Sequence, residues 1–186
     1  LLALRQHDFQ VTIEHFHQVK DKVMFGKKKL QILSDEQKQY RITYQAGKVV
    51  SASYFDLAFE KLMLSNEKLT PSTDAPMIKH ELESCIKMLL AGVVACELKF
   101  GEHASSAKSD LDEAKELIQR MLNDYGMGNS LIKSENEEEV LMARLYSECK
   151  DFISSMDTVI EKVELVLYER ESISKDEVLK YINEVL

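Results

Sequence analysis

At 186 residues, with 45% hydrophobic and 30% charged residues, the chain is long enough to bury one sizeable core and lacks the composition of a disordered segment. A formal charge of −8 and a pI near 5.2 exclude the clustered basic surface that nucleic-acid phosphates demand. No apolar run reaches the roughly 18 residues that cross a bilayer, and the first residues lack a signal-peptide pattern, so this segment is expected to be soluble and to make no membrane contact.

Only two prolines and six glycines interrupt the sequence, so long helices are expected. Residues 11–24 carry a helical pattern on Ile13, Phe16, Val23 and Met24, with Thr12 as N-cap and Gly26 as stop. Lys27-Lys28-Lys29, the one basic run, reads as a solvated linker. Ser34 and Gln37 are spaced as a capping box and open a helix to about Ala58. Leu57 to Leu64 is then a candidate strand, and Pro71 and Pro76 bracket a surface loop. Leu82, Ile86, Leu89, Leu90, Val93 and Val94 predict a largely buried helix from Ile78 to Phe100. Ser109 or Asp110 opens another, to Tyr125. Glu137-Glu138-Glu139 reads as the acidic first turn of one or two helices reaching about Glu169, and Ser174 caps a last one, Lys175 to Val185. The fold class is predominantly α, a helical bundle with at most a small β element.

Cys85, Cys96 and Cys149 are odd in number and form no C-x-x-C pair, which fits reduced, partly buried thiols rather than a zinc site. There is no phosphate-binding G-x-x-x-x-G-K-[ST] loop and no G-x-S-x-G nucleophile elbow. Among the five histidines, His7, His15, His17, His80 and His103, no i, i+4 pair occurs.

A set of landmarks in fixed order covers nearly the whole chain. Val11-Thr12-Ile13-Glu14-His15-Phe16 followed by Lys20-Asp21-Lys22-Val23-Met24-Phe25-Gly26 resembles "V-x-x-x-D/E-F … K-D-K-V-M-M-G". Leu33-Ser34-Asp35-Glu36-Gln37-Lys38 is similar to "M-S-E-E-E-K", and Leu90-Ala91-Gly92-Val93-Val94-Ala95-Cys96-Glu97 to "L-G-G-R-A-A-E-E". Ala104-Ser105-Ser106-Ala107-Lys108-Ser109-Asp110-Leu111 aligns without a gap on "T-T-G-A-S-N-D-L". Tyr125-Gly126-Met127, Leu145-Tyr146-Ser147-Glu148-Cys149-Lys150 and Tyr168-Glu169-Arg170-Glu171-Ser172-Ile173 resemble "W-G-M", "A-Y-E-R-A-K" and "L-E-K-E-T-L". Together these resemble the C-terminal part of the FtsH family of ATP-dependent zinc metallopeptidases.

In that family an H-E-x-x-H helix supplies two zinc ligands one turn apart, with a glutamate that polarises water. Here the frame reads Tyr44-Gln45-Ala46-Gly47-Lys48, and only Asp110, at the family's third-ligand position, is a metal donor. The resemblance therefore implies a degenerate, zinc-free peptidase domain with no intact catalytic residue. Two readings of Lys48 stand side by side: an ion pair with Asp110 in place of the metal, or a lysine that snorkels to solvent while Asp110 merely caps its helix. A relocated zinc site built from His103, Asp110 and Glu97 is the alternative for an active enzyme. The family's "V-x-I-x-P-R-G … G-x-T" segment, which supplies a strand beside the substrate cleft, is missing its second half.

The resemblance further implies that residues 1–26 end an AAA+ lid subdomain and that residues 27–186 are the peptidase-like domain. It implies ATP on an upstream domain, and a homo-oligomer, a hexamer in the full-length protein, alone or mixed with active FtsH. It also implies protein clients, and a location on the cytoplasmic face of the inner membrane. No cofactor is expected in this segment itself. A regulatory subunit docking on an active relative is a third reading.

Overall fold

A computed structural model describes residues 34–65, 69 and 76–185. The helix expected over residues 11–24, the Lys27-Lys28-Lys29 linker, the division at residue 26 and residues 72–75 of the proline-flanked loop lie outside them. The described chain runs α1 (Asp35–Tyr54), β1 (Lys61–Met63), α2 (Lys79–Phe100), a 3-10 turn (Ser105–Ala107) and α3 (Lys108–Asn123). It continues with α4 (Glu137–Ser155), α5 (Asp157–Arg170), β2 (Ser172–Ser174) and α6 (Lys175–Asn183). The architecture is predominantly α, with one two-stranded sheet among the described residues, as the sequence predicts.

The start of α1 is a capping box: Gln37 N–H donates to Ser34 Oγ at 3.2 Å, and Ser34 N–H donates to Gln37 Oε1 at 3.1 Å. Two of the orphan amides of the helix N-terminus are thereby satisfied. Ser34→Ala is expected to cost about 1 kcal/mol, seen as a lower denaturant midpoint with an unchanged slope. The helix stops at Tyr54 rather than Ala58. Asp56 turns to a φ of 53°, and its carboxylate accepts Lys175 Nζ at 2.6 Å. Lys175 also donates to the Leu57 carbonyl at 3.0 Å, so a tie to the far end of the chain fixes this exit.

The candidate strand contracts to Lys61–Met63, and its antiparallel partner, Ser172–Ser174, has no strand signal in the sequence. Leu62 faces Ile173 in the register and both are buried. Leu64 N–H to Glu171 O (2.8 Å) and Lys175 N–H to Glu60 O (3.0 Å) extend the ladder by one bond at each end. Ser174 then serves two elements, ending β2 and capping α6.

Helix α2 is the central element, buried through almost every residue from Cys85 to Cys96 and packed on α1, α3 and α4. A Cβ added at Gly47 of α1 would lie 2.6 Å from the Ala91 carbonyl oxygen and 2.7 Å from Ala95 Cβ. Gly47, Ala91 and Ala95 thus let the two helix backbones approach closely. Gly101, at a φ of 80°, ends α2 in the left-handed cap that glycine favours. The stretch from Glu137 onward is two helices, broken at buried Met156, whose N–H donates to the Phe152 and Ile153 carbonyls. Glu137 does more than charge a first turn. Its carboxylate accepts from Asn129 N–H (2.6 Å) and Ser134 N–H (3.0 Å), which staples the loop before α4 and holds its pKa below the usual glutamate range.

Candidate functional site

Tyr44 and Lys48 stand four residues apart on α1 and project from one face. Beneath them is Gly92 of α2, where a Cβ would lie 2.8 Å from three atoms of the Tyr44 ring. The phenol ring therefore lies flat on the α2 backbone, at a place only glycine leaves open. Around it Tyr44, Val93, Cys96 and Ala107 form an apolar cluster of their own, rimmed by Tyr40, Phe100 and Leu111. Ala107 carries the chain into α3, and three residues later Asp110 returns its carboxylate to α1.

Both α1 side chains end on one oxygen. Tyr44 OH donates to Asp110 Oδ2 at 2.6 Å, and Lys48 Nζ donates to the same Oδ2 at 2.5 Å. The Lys48 side chain is 1% exposed and that of Asp110 11%, so the lysine does not reach solvent. Neither does Asp110 cap its helix, since the N-cap position belongs to Ala107. The Lys48 ammonium also lies 5.7 Å from the Tyr44 ring centroid, within cation–π range. Burying either charge alone would cost several kcal/mol, and the direct charge-assisted hydrogen bonds offset that cost. Gln45, 2% exposed, adds no second negative charge, and its Oε1 has no hydrogen-bond partner among the described residues.

These residues do not fit a zinc ion. A catalytic zinc site takes three protein donors from His, Cys, Asp or Glu. Here the lysine ammonium that pairs with Asp110 has no lone pair to give and repels a cation, and a phenol O–H is a poor zinc donor. Asp110 is the single donor. Of the relocated set, Glu97 accepts His103 Nδ1–H at 2.8 Å and the Tyr146 hydroxyl, while Asp110 is turned to Tyr44 and Lys48 of α1. Among the described residues no group of three His, Cys, Asp or Glu side chains could hold a metal.

A second buried carboxylate lies on the other side of α1 and was missed from sequence. Glu164 of α5, 7% exposed, accepts Thr43 Oγ1–H at 2.5 Å and Lys99 Nζ–H at 2.5 Å. The signal was present, because position 164 falls on the buried stripe of Ile160, Val163 and Leu167. Glu164→Ala is expected to cost about 2 kcal/mol. Buried Thr43 loses its acceptor, whereas Lys99, 39% exposed, can turn to water. Equilibrium unfolding of the variant checks this.

The three cysteines are free and buried. Burial pushes the Cys85 thiol up to about 11, and the Cys96 and Cys149 thiols up to about 12. Since the thiolate is the reactive form, alkylation at pH 8 is expected to be at least about a hundredfold slower in the native than in the denatured protein. Timed mass spectrometry of the alkylated chain checks it.

The model of the family described as peptidase family M41 matches residues 64–167, more than half of the chain. The chain belongs to peptidase family M41. The match takes in α2, α3 and α4 and most of α5, including Asp110, whereas Tyr44 and Lys48 precede it. A relative in Magnetococcus marinus, an ATP-dependent zinc metalloprotease FtsH, is 26% identical, covering 97% of this chain and 33% of its own length. The ATP-dependent zinc metalloprotease FtsH 2 of Symbiobacterium thermophilum is 24% identical, covering 98% of this chain and 37% of its own length. That of Nitrosococcus oceani is 26% identical over 87% of this chain and 27% of its own length. This M41 chain thus spans about a third of the length of the curated relatives it matches. No described helix is long and apolar enough to cross a membrane.

Proposed function

We propose that this chain is a zinc-free, proteolytically inactive M41 domain that serves as an assembly module of an ATP-driven protein-remodelling machine. The observation that carries the reading is the Lys48 ammonium, buried and 2.5 Å from Asp110, where a zinc peptidase needs a donor and an open coordination position. Gln45 supports it, because an amide cannot take up the proton that a general base removes from water. In the intact protein, residues 1–26 end an AAA+ lid, residues 27–186 form the peptidase-like domain, and ATP is bound upstream. The domain holds a hexameric ring together, alone or mixed with active FtsH subunits. The ATPase unfolds protein clients at the cytoplasmic face of the inner membrane without cutting them.

The test is zinc content by elemental analysis after mild dialysis, read beside casein cleavage with and without added zinc. Less than about a tenth of an ion per chain and no cleavage is the expected result. Near one ion per chain, with cleavage abolished by Asp110→Ala, would overturn it in favour of an active metallopeptidase.

A further inference from the structure

A metal centre with donors on two helices makes the fold depend on the metal, because ligation contributes directly to folding free energy. In this chain side-chain bonds join the same two helices. We propose that Tyr44, Lys48 and Asp110 form a metal-independent latch that fixes the first turn of α3 on α1, so that the fold does not respond to zinc or to chelators. The inference rests on the reading above that the site holds no metal, and adds to it what the replaced residues do.

Three observations define the latch. Its donors converge on a single oxygen: Tyr44 OH and Lys48 Nζ reach Asp110 Oδ2 at 2.6 and 2.5 Å. An aspartate that shifted by an ångström would lose both bonds together, so the contact is all-or-none. Its donors are also pre-positioned from behind. The ring of Tyr44 is fixed flat over Gly92, and the close approach of Gly47 to Ala91 and Ala95 sets the height of α1 over α2. Little side-chain freedom is left to lose when the bonds form. Finally, the latch has its own dry cover. The cluster of Tyr44, Val93, Cys96 and Ala107 stands apart from the main core and bridges α1, α2 and the turn that leads into α3. Excluding water there strengthens the ion pair and raises the cost of opening it.

Burial gives the latch a signature that an exposed pair would lack. With Lys48 fully buried, loss of Asp110 removes the carboxylate 2.5 Å from its ammonium, and loss of Lys48 removes the positive charge beside the Asp110 carboxylate. Loss of both removes the two opposite charges together.

The experiment is thermal unfolding of the full chain and of Lys48→Met, Asp110→Leu and the double variant, with zinc and with a chelator. The parent melt is expected to be the same in both conditions. Each single variant is expected to melt about 10 °C lower, and the double variant to regain at least half of that loss. A single variant that fails to fold is the extreme of the same loss, and recovery of folding in the double variant then supports the latch. Single variants within about 2 °C of the parent, or losses that add in the double, overturn the latch and leave the metal-free reading standing. A parent melt lowered by the chelator overturns both.

Discussion

Tyr44→His together with Lys48→His is expected to raise bound zinc from below about a tenth of an ion to about one ion per chain. The frame for such a site survives in the fold. Positions 44 and 48 already aim at one point, and Asp110 Oδ2 already sits there, 2.5 Å from Lys48 Nζ and 2.6 Å from Tyr44 OH. Imidazoles are shorter than either side chain they replace. The space opened on the α1 side is of the order of the ~2 Å bonds that zinc makes to nitrogen and to oxygen. Removing the ammonium also removes the repulsion that opposes a cation. The gain should be in binding and not in cutting, because Gln45 remains unable to act as a base. Adding Asp110→Ala to the pair should abolish the gain. A histidine pair that folds as the parent does yet binds no zinc at micromolar concentration would show that α1 and α3 are not placed as described.

Gly47→Ala is expected to destabilise the domain by about 2 kcal/mol or more, against the sign that helix propensity alone would give. Alanine in a helix interior is favoured over glycine by about 1 kcal/mol. The new methyl, however, would lie 2.6 Å from the Ala91 carbonyl oxygen and 2.7 Å from Ala95 Cβ. The first is backbone and the second is anchored to it, so neither can swing aside. The helices must part, and overpacking of this kind costs roughly 1–3 kcal/mol and occasionally more. Parting α1 from α2 also lifts Lys48 from Asp110, which adds to the loss. A drop in melting temperature of about 5 °C or more checks it, and a rise would show that the two helices slide freely.

Much of the fold was legible because its signals are local. Ser34 with Gln37, the apolar period of residues 82–94 and Ser174 before Lys175 each specify an element within one or two turns of chain. The departures have non-local causes. α1 ends at Tyr54 because Lys175, from the other end of the chain, holds Asp56 and Leu57. The strand at Ser172–Ser174 is three residues between helices, too short for alternation to register. The break at Met156 carries neither glycine nor proline. At the candidate site, residue identities alone say which side chains stand in the frame: Tyr44, Gln45, Lys48 and Asp110. Whether Lys48 faces Asp110 or water depends on how closely α1 sits on α2, and Gly47 and Gly92 set that closeness without any periodic signal. Glu164 was overlooked for a related reason, since a charged residue on an apolar stripe is identified as a buried anchor only once Thr43 and Lys99 are seen around it.

The pairing of β1 with β2 joins strands separated by α2, α3, α4 and α5, and this sets the order in which the chain can mature. Closing so long a loop is entropically costly and slow, so β1 waits for the C-terminal residues while the helices between them form from local contacts. During synthesis Leu62 stays without its partner Ile173 until nearly the whole domain has emerged. A chain cut short before Ser172 would therefore leave the helical core with an unpaired strand and an exposed apolar residue, two features that favour association with other chains.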